Sequence, residues 1–255
     1  MDKITLITGA TSGIGHACAE KFAQNKHDLI ITGRRKERLE KFAAELKTKY
    51  HVDIYPSVFD IRNKQEVDHF INNLPGAWKK IQILINNAGL AAGLDPIQNG
   101  NIDDWEQMID TNIKGLLYIS KAVSRIMIEN SGGHIINIGS IAGREVYANG
   151  NVYCATKHAV DALSKGMRID LLPYGIKVTQ IAPGLVETEF SKVRFKGDND
   201  RADSVYKGYE PLKGEDIAGV AYYVTTLPPH VNINDLLIMP TAQANATTLY
   251  KKEDV

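Results

Sequence analysis

The sequence predicts an α/β fold, a three-layer sandwich in which helices cover both faces of a parallel sheet. Short β-rich apolar runs alternate with helix-length amphipathic stretches along the chain, the pattern of successive βαβ units. Several of those runs, such as ITLIT, LIIT and IQILI, are apolar at consecutive positions, as strands are when neither face of their sheet meets water. A Gly-rich turn joins the first of them directly to an amphipathic stretch, which is how a strand passes into a helix at a phosphate-binding turn.

In chain order, the expected strand Ile4–Thr8 leads into a helix over Ile14–Gln24. Asp28–Thr32 follows with a helix over Lys36–Lys47, then Val52–Phe59 with Lys64–Asn73, and Ile81–Ile85 with Asp103–Glu129. The acidic pair Asp103 and Asp104 suits a helix start, where the backbone dipole favours negative charge. His134–Ile138 precedes Val152–Leu172, and Leu236–Met239 is the last strand. Between the strand Lys177–Ile181 and a helix over Gly214–Thr226 lies Ser191–Arg201, a charged stretch with no clear period. Ligands in open α/β sheets sit beyond the carboxyl ends of the strands, so a segment near 186–210 is expected to form a mobile lid over the site.

A chain of 255 residues with 44% hydrophobic composition can bury one large core, and one domain over 1–255 is expected. Thirty Lys and Arg balance thirty Asp and Glu, so no overall charge steers the chain to nucleic acid or an anionic membrane surface. No apolar run approaches the roughly 18 residues of a membrane span, and the N-terminus lacks a signal-peptide pattern. A cytoplasmic protein is expected. Cys18 and Cys154 make no metal-ligand spacing and the seven histidines are scattered, so no metal site is expected.

The turn Thr8-Gly9-Ala10-Thr11-Ser12-Gly13-Ile14-Gly15 has the spacing GxxxGxG. Its glycines allow a tight turn and close approach, so that amides at the helix start face a pyrophosphate. The second strand ends Thr32-Gly33-Arg34-Arg35-Lys36, without the acid that usually bonds a ribose 2′-hydroxyl. No carboxylate there would repel a 2′-phosphate. Cations at a helix start are unfavourable unless an anion joins them, so Arg34 and Arg35 point to NADP(H) in preference to NAD(H).

Ser140 lies near the end of the fifth strand, and Tyr153 and Lys157 follow four residues apart, on one face of a helix. The Lys157 ammonium, together with an oxidised nicotinamide ring, is expected to acidify the phenol from its usual pKa of about 10, each unit requiring about 1.4 kcal/mol of preferential phenolate stabilisation. Tyr153 would then act as general base toward an alcohol, or as general acid toward a carbonyl, while Ser140 holds the substrate oxygen. Cys154 and His158 read as packing and helix-surface residues.

These features together resemble the short-chain dehydrogenase/reductase family over essentially the whole chain: the TGATSGIG turn, Asn86-Asn87-Ala88-Gly89, Asn112, Ser140, the Tyr153/Lys157 pair, and Pro183-Gly184 followed by Thr188. The resemblance implies a Rossmann-like domain with a seven-stranded parallel sheet. It implies a catalytic Ser140, Tyr153 and Lys157 joined by Asn112, which bends its helix and positions a water in a relay toward Lys157. Gly9, Thr11, Ser12, Gly13, Ile14 and Gly15 would meet the diphosphate, and Asp60 and Ile61 the adenine. Asn87, Ala88 and Gly89 would line the ribose and diphosphate, Pro183, Gly184, Val186 and Thr188 would touch the nicotinamide end, and Lys157 would bond its ribose. Assembly as a homotetramer through the two long helices is a further implication.

GRRKERLE, HIINIGSIAG, GLVETEFSKVRFKGD and HVNINDLLIMPTAQ look more narrowly like the NADP-dependent 3-hydroxy acid dehydrogenases, among them serine and allo-threonine dehydrogenases. The implied reaction is oxidation of the 3-hydroxyl of a small hydroxy acid. Such a substrate needs a cation for its carboxylate. Arg194 in the lid is the first candidate, with Lys192 and Lys196 nearby, and Arg144 is the second. Asn149 and Asn151 could contact a small polar substrate, or serve as turn and cap residues. Reduction of another ketone, aldehyde or 3-oxoacyl substrate, and NADP(H) sensing without turnover, are the alternatives.

Overall fold

Seven strands form a single parallel sheet: β1 (Ile4–Ile7), β2 (Asp28–Gly33), β3 (Ile54–Val58), β4 (Ile81–Asn86), β5 (Gly133–Ile138), β6 (Ile176–Pro183) and β7 (Asp235–Ile238). Their order across the sheet is β3-β2-β1-β4-β5-β6-β7. This computed structural model describes residues 3–252, so the expected unit 1–255 reaches outside the described residues at both ends. The α/β sandwich is as expected. β3 is shorter than Val52–Phe59, and it tolerates Pro56 because it lies at the sheet edge, where one side has no ladder to lose.

The helices are α1 (Gly13–Gln24), α2 (Lys36–Tyr50), α3 (Lys64–Asn72), α4 (Ile102–Ile109), α5 (Leu116–Glu129), α6 (Asn151–Asp170), α7 (Phe190–Arg194), α8 (Asn199–Ser204) and α9 (Gly214–Thr225). Alternate residues of each strand feed opposite faces of the sheet. Ile7, Ile31, Ile85 and Ile136 pack with Phe22 of α1, Phe42 of α2 and Val224 of α9. Leu6, Ile30, Leu84 and Ile135 pack with Val67 and Phe70 of α3 and Ile119 and Val123 of α5. A smaller cluster, including Leu90, Met108, Ala142 and Tyr153, lies beyond the strand ends.

Two local structures depart from the expectation. The single helix expected over Asp103–Glu129 is α4 and α5 joined by a π-helical turn, Asp110–Gly115, which contains Asn112. Such turns widen the backbone ladder and tend to sit at functional sites. The aperiodic stretch expected as a mobile loop is mostly helical: it forms α7 and α8, with Asp198 capping α8 by accepting a hydrogen bond from the Arg201 amide.

Candidate active site

Between β1 and β4 the chain order across the sheet reverses, and the loops leaving these two neighbours diverge to open a crevice at their carboxyl ends. Its floor is cross-tied. The Thr8 hydroxyl accepts from the amides of Asn87 and Ala88, both at 3.0 Å. The Asn87 side chain donates to the carbonyls of Thr8 (2.9 Å) and Gly9 (3.1 Å). Gly9 (φ +67°) brings its backbone so near β4's loop that a Cβ would stand 2.9 Å from the Ala88 Cα. Gly13 (φ +56°) faces Thr188, whose side chain a Cβ would meet at 3.2 Å. Ser12, extended, gives α1 no side-chain cap, which leaves its first amides to serve an anion.

Above this floor is a cavity of about 510 Å³. It gathers most of the predicted cofactor residues from six separate stretches: Gly9 and Thr11 to Ile14, Arg34 and Arg35, Asp60 and Ile61, Asn87 to Gly89, Tyr153 and Lys157, and Pro183, Gly184, Val186 and Thr188. The Thr111 hydroxyl also faces it, buried and without a hydrogen-bond partner among the described residues. A long cavity with a Gly-rich turn, free helix-start amides and arginines at one end fits a dinucleotide.

Gly15 is a correction. It does not line the cavity, because it packs against Gly9 and Asn87, leaving a Cβ 2.4 Å from the Gly9 carbonyl oxygen. The end of the second strand has no acid of its own, as the sequence reads, but carboxylates reach its arginines from other segments. Glu189, distant in sequence, accepts from Arg35 Nη1 at 2.8 Å and from Arg38 Nη1 at 3.0 Å. Arg35 also donates to the Thr11 and Ser12 hydroxyls, at 2.9 and 2.7 Å, while Arg34 lies 3.8 Å from Asp60.

Ser140 and Tyr153 both line the cavity. Ser140, at the end of β5, accepts from the Ala142 amide (3.1 Å), which fixes its side chain at the start of a short turn. Tyr153 and Lys157 share one face of α6, with the Lys157 Nζ 6.0 Å from the phenol ring centroid. Lys157 donates to the Ile138 carbonyl at 3.0 Å, and burial lowers its pKa to about 8. Lys157 does not by itself produce the expected acidification of Tyr153: burial pushes the phenol above its ordinary value, against the pull of the Ser140 hydroxyl and the Arg194 charge.

Asn112 lies behind this group and does not line the cavity. Its amide accepts from the Leu90 N–H (2.9 Å) and donates to the Leu90 carbonyl (2.8 Å) and the Thr156 hydroxyl (3.0 Å). It thereby joins the β4 loop, the π-helical turn and α6. In this arrangement its side chain positions the three elements against one another.

At the outer end, α7 carries Phe190 and Arg194 against Tyr153. The rings of Phe190 and Tyr153 are 5.7 Å apart, and the Arg194 guanidinium lies 5.5 Å from the Tyr147 ring centroid and 5.6 Å from that of Tyr153. Arg194 donates to the Tyr147 hydroxyl (3.0 Å) and the Gly93 carbonyl (3.3 Å). Its Nη2 is buried with no partner among the described residues. Arg144 is not at the site: it pairs with Asp235 at 2.9 Å. Lys196 pairs with Asp104 at 2.9 Å. Asn149 lies outside the main cavity, in a small recess it shares with Arg194 and Tyr153, and takes a left-handed conformation (φ +65°). Asn151 donates to the Asp95 carbonyl.

Tyr147, Glu189 and Gln243 line the cavity without having been singled out from the sequence. Tyr147 lies in a segment with no period, and Gln243 enters from the chain's last segment to accept from the Leu185 amide at 2.9 Å. Neither position had a spacing that could reveal it.

The sequence model of the short chain dehydrogenase family matches residues 3–199. The chain is 48% identical over 244 residues to the NADP-dependent 3-hydroxy acid dehydrogenase YdfG of Escherichia coli (strain K12), covering 95% of this chain and 97% of that protein. It is 45% identical to sulfoacetaldehyde reductase 2 of Chromohalobacter salexigens, covering 96% of each. Among solved structures, the closed form of serine dehydrogenase complexed with NADP+ is similar with a TM-score of 0.91 at 46% identity, covering 98% of this chain and 100% of the other.

Proposed function

The chain belongs to the short-chain dehydrogenase family, and on that premise we propose that it is an NADP-dependent dehydrogenase of small 3-hydroxy acids such as serine, allo-threonine or 3-hydroxypropionate. The observation that carries this reading is the Arg194 guanidinium, held beside the Tyr153 ring with a buried nitrogen still to be satisfied. An unpaired buried donor is costly, and a carboxylate is the partner that a guanidinium matches best. Placing that carboxylate on Arg194 puts the substrate against Tyr153 and Ser140.

NADP(H), when bound, exchanges the hydride at the alcohol or carbonyl carbon. Tyr153 takes the hydroxyl proton in oxidation and returns it to the carbonyl oxygen in reduction. Ser140 holds that oxygen by a hydrogen bond. Lys157 supplies positive charge beside the phenol and a donor to the nicotinamide ribose, and Asn112 holds α6 against the β4 loop. Arg34 and Arg35 supply charge for the 2′-phosphate. The segment near 186–210, with α7 and α8, is the substrate lid of a single domain spanning 1–255.

The same reading makes the enzyme a cytoplasmic homotetramer. Apolar Ile109, Leu117 and Ile169, exposed on α4, α5 and α6, supply surface for such an assembly, and no helix among the described residues is long and apolar enough to cross a membrane. Reduction of a small sulfonated aldehyde is a second reading. It is favoured by the relative named sulfoacetaldehyde reductase 2 and by Arg194, which can receive a sulfonate as well as a carboxylate.

Initial rates of nicotinamide reduction with NADP+ and with NAD+ test the proposal against L-serine, D-serine, allo-threonine, 3-hydroxypropionate and a neutral secondary alcohol. Sulfoacetaldehyde with NADPH is run alongside. Turnover of the hydroxy acids with NADP+ is the expected result. Turnover of the neutral alcohol alone would remove the acid-substrate assignment, and turnover of sulfoacetaldehyde alone would establish the second reading.

A further inference from the structure

Arg35 lines the cavity where a 2′-phosphate is expected, Arg38 stands next to it through a shared carboxylate, and both already have a counterion. Glu189 accepts from Arg35 Nη1 (2.8 Å) through one oxygen and from Arg38 Nη1 (3.0 Å) through the other. All three side chains are about half exposed, with 41%, 57% and 44% of the side-chain surface accessible. An ion pair in such a place is weak and readily exchanged. Hydrogen bonding from Arg35, with that from Arg38, holds the Glu189 carboxyl below its ordinary pKa, so the group is an anion at neutral pH. A carboxylate and a phosphate present the same planar pair of acceptors to a guanidinium, so the two anions are competitors for it.

We infer that Glu189 is an internal competitor of the cofactor's 2′-phosphate, occupying Arg35 and Arg38 until the phosphate takes its place. It therefore weakens binding of NADP(H) and leaves NAD(H), which lacks that phosphate, untouched. The inference rests on the NADP reading and adds a residue that tunes discrimination between the two cofactors. Without Glu189 the two arginines would hold a free phosphate site, and NADP(H) would leave it more slowly. Release of an oxidised or reduced cofactor is thus eased by a carboxylate that returns to the arginines as the phosphate departs.

The test is isothermal titration of the wild type, Glu189→Gln and a control, Glu187→Gln, with NADP+, NAD+ and adenosine 2′,5′-bisphosphate. Glu187 is exposed and only two residues away, so the control removes the same charge from the same segment. Glu189→Gln is expected to tighten NADP+ and adenosine 2′,5′-bisphosphate by about three- to tenfold, as loss of exposed competing pairs allows. NAD+ should change by less than about twofold, as should every ligand with Glu187→Gln, because distant exposed charges are screened. Unchanged or weaker NADP+ binding in Glu189→Gln, equal tightening of NAD+, or the same gain in the control overturns the competitor while leaving the cofactor reading intact. Tighter binding of NAD+ than of NADP+ by the wild type overturns the cofactor reading and the competitor with it.

Discussion

Lys157 and Arg194 both stand against the Tyr153 ring, at 6.0 and 5.6 Å from its centroid, but different parts of the molecule hold them there. Lys157 comes from the interior of α6, a 20-residue helix, and is tied to the backbone of β5. Burial brings its pKa to about 8, so its charge responds to pH near neutrality. Arg194 ends the five-residue α7. It is anchored by Tyr147 and Gly93 and has one nitrogen to spare. On the proposed function, proton handling is thus built on the sheet and its long helices, whereas recognition of the substrate is built on a short element that loop changes can alter without disturbing the core.

The sharpest division between the two regions comes from Tyr153→Phe. It removes the acid–base group and nothing else, so turnover should fall about 10²- to 10⁴-fold while cofactor affinity by titration stays within about twofold. A variant retaining a tenth of the wild-type rate would show that another group moves the proton. Arg194→Met is expected next in size. With 3-hydroxypropionate, kcat/KM should fall about 10²- to 10³-fold, the usual cost of unpairing a buried charge. A neutral secondary alcohol should lose less than about threefold. Equal losses on both would mean that Arg194 only holds the lid in place, and the contrast between recognition and chemistry would collapse.

Asn112→Ala probes the frame itself. It orphans the Leu90 N–H and C=O, and at about 1–3 kcal/mol for each buried group a melting temperature lower by roughly 5–10 °C is expected. Arg194→Met should shift it by less than about 3 °C, since α7 lies outside the sheet core. Comparable shifts in calorimetry would show that lid and frame unfold as one unit.

The smallest effect concerns the charge of Lys157. Below pH 8 the ammonium is charged in both folded and unfolded chains, and its burial penalty is fully present. As pH rises from 8 toward 10.5 the unfolded chain holds the extra proton, so the stability of the wild type relative to Lys157→Met should climb, by at most about 1.4 kcal/mol per pH unit. Denaturant titrations of the two proteins across that range measure the difference. A flat difference would show that Lys157 is solvated in place and no different in kind from a surface cation.

Local spacing determined a good deal of this protein. Consecutive apolar residues in ITLIT and IQILI specified strands buried on both faces, because strand side chains alternate and both sides of the sheet are covered. The four-residue interval from Tyr153 to Lys157 specified one face of a helix, because a helical turn spans about 3.6 residues. The turn from Gly9 to Gly13 specified a phosphate cradle for the same kind of reason, since positive φ and close approach are properties of a few adjacent residues.

Spacing did not determine which glycine packs and which faces the cavity, and Gly15 proved to be the packing one. Only the tertiary structure placed the π-helical turn, because the bonds that hold Asn112 run to Leu90 and Thr156, 22 and 44 residues away. Only it set the direction of the Tyr153 pKa, which follows from burial. Glu189 met Arg35 across 154 residues. Contacts of this kind depend on which strands are neighbours and where their loops diverge, and sheet order is a property of the assembled fold that no local pattern carries.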